Sequence, residues 1–129
     1  MRKFAEDYRD LDVFENAMEL AMHIFMLTKA FPSEEKYSLV DQMRRSSRSV
    51  CANIAEAWRR RRYKRAFVAS MNNAESEANE TRVWLEIAFR CSYISKEKKE
   101  ALDRQYDIVI RQIVKMIQNA ESWTLRTHT

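Results

Sequence analysis

Apolar residues recur at spacings of three and four through four stretches of the chain, the repeat that gathers them on one face of an α-helix. In the first stretch, about 12–30, Val13, Phe14, Ala17, Met18, Leu20, Ala21, Ile24, Phe25 and Leu27 form a face broader than one partner helix covers. Met18, Met22 and Met26 stand four apart along it; they read as core, with Met22 and Met26 extending toward a second interface. Pro32 and Ser33 interrupt the pattern. Ser33, followed by Glu34 and Glu35, reads as the start of the next helix, because a hydroxyl caps free backbone N–H groups and acids suit the positive end of the dipole.

The second stretch, about 34–60, has three faces at roughly 100° per residue. Leu39, Val40, Met43, Val50, Cys51, Ile54, Ala57 and Trp58 form the apolar one. Arg44, Arg48, Arg59 and Arg62 align as a cationic stripe with Arg45 beside it, and Gln42, Ser46, Ser49 and Asn53 form a strip of small polar side chains suited to close contact. The third stretch, about 64–90, carries Phe67, Met71, Ala74, Ala78, Thr81, Leu85 and Ala88, whose small central residues imply a close helix approach. Val83, Trp84 and Ile87 lie off that stripe. The fourth, about 96–123, follows Ser95 and carries Leu102, Tyr106, Val109, Ile113, Met116, Ala120 and Trp123, widened by Ile108, Ile110, Val114 and Ile117. Leu125 to Thr129 reads as a frayed tail.

Short connections between long helices make neighbours antiparallel, so the expected fold is all-α, a single domain over 1–129 built as an antiparallel up-down-up-down four-helix bundle. Composition agrees: the 129 residues include no glycine and one proline. Tight β-turns and phosphate-cradling loops depend on glycine, so Rossmann, P-loop and barrel readings lose their main device. The join within 60–64 is the least defined boundary. The first, third and fourth helices carry more apolar surface than a lone bundle buries, which implies a homo-oligomer.

No uncharged stretch exceeds nine residues, as in Leu20 to Thr28, far short of the ~20 that span a bilayer. The N-terminus lacks the apolar core of a signal peptide, so a cytoplasmic protein without membrane contact is expected. Cys51 and Cys91 each sit inside a helical pattern and read as reduced, buried thiols.

Charge is concentrated. The window from Arg44 to Arg65 holds nine basic residues and one acid, Glu56, for a net +8 in a chain whose total is +4. The rest of the chain therefore carries −4, and a cationic patch on a faintly acidic protein points to a polyanion, nucleic acid first. Guanidinium groups grip phosphate bidentately, and Tyr63 or Trp58 offers a ring on which a base can stack. Arg44, Arg45, Arg48, Arg59, Arg60, Arg62, Lys64 and Arg65 are the candidate binding residues. Along a continuous helix, Arg44 to Arg62 would make a strip about 27 Å long. The competing reading is a solvated helix end whose cations answer the dipole.

Other chemistry is thin. Glu19 and His23 are spaced i, i+4, but a di-metal bundle needs Glu-x-x-His on two helices, and the only other histidine is His128. Metal ligation, cofactors and nucleophilic catalysis are accordingly not expected, and the chain does not read as an enzyme. Glu75, Glu77 and Glu80 read as a solvated face or as partners for arginines, within or between subunits.

The run Tyr37 to Ala57, YSLVDQMRRSSRSVCANIAEA, resembles the four-helix-bundle proteins encoded in intervening sequences of bacterial large-subunit ribosomal RNA genes. Their pattern reads Leu, Gln-hydrophobic-Arg-Arg, small residues, then Ser-Ile-x-x-Asn-Ile-Ala-Glu-Gly. Leu11 to Phe14, Ala17-Met18, Phe31 to Glu35, Glu80 and Tyr93 to Ser95 match further landmarks, so the resemblance covers about 8–120. Ala57, Ser76 and Ser92 stand where that family has glycine, which bears on the turn between the second and third helices. The resemblance implies a cyclic homopentamer and kinship with accessory variability determinant proteins, basic proteins that bind nucleic acid and associate with a reverse transcriptase. It settles no activity for the ribosomal-gene members. Gln42, Asn53, Glu56 and Glu80 match the motif and read as structural residues at helix or subunit contacts.

The resulting expectation is a non-enzymatic, oligomeric helical bundle that binds RNA or DNA through its arginine-rich surface. The alternative is an assembly or adaptor module whose arginine stripe is used in subunit contacts.

Overall fold

The structure, a computed structural model, describes residues 4–125; residues 1–3 and 126–129, with His128 and most of the expected frayed tail, lie outside the described residues. Four long helices carry the fold: α1 (Asp12–Thr28), α2 (Leu39–Arg59), α3 (Lys64–Arg90) and α4 (Lys96–Gln118). A single turn, α5 (Ala120–Trp123), follows, and 3-10 turns at Tyr8–Asp10 and Ser33–Glu35 precede α1 and α2. There is no strand among the described residues.

α2 begins at Leu39, five residues after the start that Ser33 predicts. Pro32 has extended backbone (φ −54°, ψ 143°) and admits only the short 3-10 turn after it. The Glu35 carboxylate then accepts hydrogen bonds from the Ser38 hydroxyl at 2.7 Å and the Tyr93 hydroxyl at 2.8 Å. With its hydroxyl turned to Glu35 and its backbone at φ −126°, ψ −99°, Ser38 marks the true boundary.

α3 ends in a paired-bond reversal in which Ser92 N–H donates to Phe89 and Tyr93 N–H donates to Ala88, both at 2.9 Å. Ser92 adopts φ 63° there, the left-handed position that glycine usually takes. α4 starts on Ser95, whose Oγ accepts the Lys98 N–H at 3.1 Å. It stops at Asn119 (φ −104°, ψ 28°) instead of running on to residue 123. The Asn119 amide donates to the Lys115 carbonyl at 3.0 Å, a local bond that competes with helix continuation.

α1 packs on α2 and α4, and α3 packs on α2 and α4, while the backbones of the diagonal pairs do not approach closely. Ile24, Met43, Ile54, Met71, Leu85, Leu102, Tyr106 and Ile113 fill the centre and are fully buried. The α2–α3 approach is the closest in character. Ala74, Ala78 and Thr81 face α2 without bulk, and the buried Ser46 and Thr81 hydroxyls lie 2.7 Å apart. Arg82 donates to Asp103 from Nε at 2.9 Å and Nη2 at 3.3 Å, tying α3 to α4, and Asn16 donates to Gln112 at 3.1 Å between α1 and α4. Met22, Met26, Val83, Ile87 and Ile108 remain exposed.

Candidate nucleic-acid interface

The densest cationic segment lies where α2 gives way to α3. The turn closes without any left-handed residue: Arg60 N–H donates to Glu56 and Ala57, and Tyr63 N–H donates to Arg60. Ala57 therefore needs no glycine; it is an interior helix residue and fully buried. Tyr63, in extended backbone, precedes α3 and accepts the Phe67 N–H at 3.0 Å. No side chain caps α3 and no acid lies in its first turn, so the positive end of a 27-residue helix adds to the local charge. Leu125 N–H donates to the Arg61 carbonyl at 2.8 Å, bringing the segment after α5 onto the same turn.

The basic residues of this segment divide by partner. Arg60 pairs with Glu56, and Lys64 Nζ lies 3.1 Å from Glu121 Oε1. Arg61 is folded back: its guanidinium lies 3.4 Å from the centre of the Trp58 ring, and Nε donates to the Trp58 carbonyl at 2.8 Å. Burial lowers the Arg61 pKa, and the neighbouring Arg59 charge lowers it further. Arg59, Arg62 and Arg65 are exposed and have no acidic or hydrogen-bond partner for their side chains among the described residues. Three guanidiniums without acidic partners thus fall close together in the chain across the α2–α3 turn, and guanidinium is the side-chain group that grips phosphate bidentately.

The other candidates sit toward the opposite end of α2. Arg44 donates from Nε to the Thr28 hydroxyl at 3.0 Å and from Nη2 to the Phe25 carbonyl at 3.4 Å, with its guanidinium 4.7 Å from the Phe25 ring. It thus serves the Phe25 carbonyl, which also accepts from the Thr28 hydroxyl, in the last turn of α1. Arg48 lies 5.9 Å from the same ring, and Arg45 lies 3.8 Å from Asp41. Between Arg48 and Arg59 α2 carries no cation, a gap of about 16 Å at 1.5 Å per residue. The aligned stripe thus divides: Arg44 is engaged beside α1 and Arg45 faces Asp41, whereas Arg48, exposed and near only the Phe25 ring, and the group at the turn are freer. A helical wheel could not separate them, because Phe25 and Thr28 come from another helix.

The motif residues act locally. Asn53 Nδ2 donates to the Ser49 carbonyl at 2.9 Å and to its hydroxyl at 3.1 Å, and Glu56 pairs with Arg60. Gln42 and Glu80 are half-buried. Burial raises the Glu77 pKa and the adjacent Glu80 charge raises it further, while Arg45 across the α2–α3 seam acts in the opposite direction. None of Glu75, Glu77 and Glu80 forms an ion pair among the described residues.

Beside the turn, Lys64, Arg65, Val68, Ala69 and Asn72 form an open patch on one side of α3. Arg65, Val68, Ala69 and Asn72 are spaced i, i+3, i+4, i+7, a signal of one shared helix face, yet the apolar repeat of α3 runs elsewhere. His23 is half-buried, and its pKa is lowered by burial and then by Lys98. Among the described residues no group of three potential metal ligands comes together, and no helix is long and apolar enough to cross a membrane. Cys51 is buried, its thiol pushed up to about 11 by desolvation; Cys91, expected inside, is exposed at the end of α3. Burial of Cys91 fails because α3 has already ended at Arg90.

The model of the 23S rRNA-intervening sequence protein family matches residues 9–115. A solved structure from Bacteroides thetaiotaomicron, described as a protein with unknown function from the S23 ribosomal protein family, is 32% identical. The match covers 82% of this chain and 95% of that one, with a TM-score of 0.75. Comparison with curated proteins finds no match.

Proposed function

The chain belongs to the 23S rRNA-intervening sequence protein family, and from that premise we propose that it is a non-enzymatic, oligomeric bundle that holds RNA or DNA by its phosphates at the α2–α3 turn. The observation that carries this reading is the set Arg59, Arg62 and Arg65, exposed and without acidic partners while Arg60, Lys64 and Arg45 each have one. The uncapped start of α3 adds to the same field. Arg60 and Lys64 add to the field as neighbours, Arg45 and Arg48 would extend it farther along α2, and Arg44 acts chiefly through α1.

Within this reading the helices run up-down-up-down. Side-chain pairs support it: Lys64 with Glu121, Arg82 with Asp103 and Glu86 with Lys99 step in opposite directions along α3 and the α4–α5 segment. Exposed Met22, Met26, Val83, Ile87 and Ile108 support assembly, and the family resemblance points to a pentamer working in the cytoplasm beside a nucleic-acid enzyme such as a reverse transcriptase. Repetition of the cationic turn around a ring would strengthen weak single contacts through avidity.

The second reading places the arginines in subunit contacts, and Glu75, Glu77 and Glu80, which form no ion pair within the chain among the described residues, favour it as acids left for a neighbour. Titrating labelled RNA and DNA while following oligomeric state separates the two. Binding lost in R59E/R62E with the oligomer intact supports the phosphate site. An oligomer that dissociates in high salt or in that variant, without nucleic-acid binding at any salt, supports the adaptor.

A further inference from the structure

The turn carries one aromatic ring that no neighbour covers. Tyr63 is 63% exposed, and its side chain has no ring, cation or hydrogen-bond partner among the described residues. Trp58, the other candidate for stacking, is 7% exposed and lies under the Arg61 guanidinium. The Tyr63 backbone is held at both ends, donating to Arg60 and accepting from Phe67, so an exposed ring rests on a fixed base. Arg62 precedes it and Arg65 follows two positions on, both unpaired among the described residues, and an open patch with Val68 and Ala69 begins beside Lys64 and Arg65.

We infer that this end of the bundle takes a single strand of nucleic acid, with phosphates on Arg59, Arg62 and Arg65 and an unpaired base stacked on Tyr63. The inference rests on the phosphate-binding reading above and adds the class of nucleic acid. A duplex turns its bases inward and presents mainly phosphate and sugar, leaving an exposed ring without a partner. An unpaired strand offers charge and a flat apolar face together, the pair of features that the turn presents side by side. The spacing agrees. Arg59, Arg62 and Arg65 fall close together in the chain across the α2–α3 turn, while Arg44, farther back along α2, is turned to Phe25 and Thr28 and Arg45 faces Asp41.

The test is fluorescence anisotropy at fixed low salt, using ten-nucleotide RNA and DNA as single strands, as duplexes and as an abasic single strand. Wild type, Y63A, Y63W and R59E/R62E are compared. The expected result is tighter binding of the single strand than of the duplex or the abasic strand. Y63A should weaken the single strand about 5- to 150-fold, the equivalent of ~1–3 kcal/mol per stacked base, with Y63W retaining it and duplex binding unmoved. Equal binding of single, duplex and abasic strands, unaffected by Y63A but lost in R59E/R62E, would overturn the single-strand inference and leave the phosphate site standing. No binding of any probe would remove both.

Discussion

Arg61 closes over Trp58, with its guanidinium 3.4 Å from the ring centre and its Nε bonded to the Trp58 carbonyl. In the middle of an arginine run, one member is therefore part of the fold while the nearby Arg59 and Arg62 side chains make no hydrogen bond among the described residues. Arg61→Ala uncovers the Trp58 face and removes a bond that ends α2. We expect a loss of about 1–2 kcal/mol in urea unfolding. Arg59→Ala and Arg62→Ala should change stability by less than about 0.5 kcal/mol. Equal losses for all three variants would contradict the division.

Ser92 sits at φ 63°, where a Cβ is unfavourable, in the reversal that ends α3. Ser92→Gly should stabilise the protein by about 1 kcal/mol in thermal or chemical unfolding. Ala57 also stands where the family has glycine, but it is fully buried inside α2. Ala57→Gly should therefore cost about 1–2 kcal/mol. The two substitutions restore the same family residue and should move stability in opposite directions.

The Ser46–Thr81 hydroxyl pair is the polar contact at the α2–α3 approach, and the Thr81 hydroxyl lies 2.9 Å from the Glu77 carbonyl as well. Thr81→Val leaves the buried Ser46 hydroxyl with only a long 3.4 Å bond to Met43, and should cost about 1–2 kcal/mol. Adding Ser46→Ala removes the orphan. The double variant should be no less stable than Thr81→Val alone, a coupling read from a double-mutant cycle.

Glu35 ties the α1–α2 connection to the α3–α4 connection through Tyr93. The Ser38 and Tyr93 hydroxyls hold its carboxyl below the ordinary value of 4.5, and Glu35 in turn pushes the Tyr93 phenol up to about 12. A lowered acid contributes stability above its unfolded-state value that disappears as pH falls through the folded one. A raised phenol contributes stability that is complete below its ordinary value of 10.0 and is lost as pH rises through about 12. Relative to wild type, Tyr93→Phe should lose melting temperature at neutral pH, and the gap should shrink below pH 4.5 and above pH 10. A gap constant across pH would show that the hydroxyl contact contributes nothing.

Four helices and their apolar faces were legible because 3.6-residue periodicity is written directly in residue type. Boundaries set by local competition were not. Ser33 looks like a cap, but the α2 start is fixed at Ser38 by bonds involving Glu35 and Tyr93, a partner 58 residues away. Asn119 splits the last helix by bonding its own preceding turn. At the interface, sequence located the cations but not their partners. Arg44 and Arg59 share a stripe on the wheel, and only the packing of α1 against α2 distinguishes the engaged one from the free one. The absence of glycine did exclude nucleotide-cradling loops, and the turn itself needs no residue with positive φ.

The most direct test is the salt dependence of RNA and DNA binding, wild type beside R59E/R62E, with oligomeric state followed in parallel. A phosphate site at the turn predicts a log–log slope that loses about 1.4 in the variant, at about 0.7 per single-strand phosphate contact, along with most of the affinity and none of the assembly. Binding that is indifferent to salt and to both substitutions, or absent even at low salt, would contradict it.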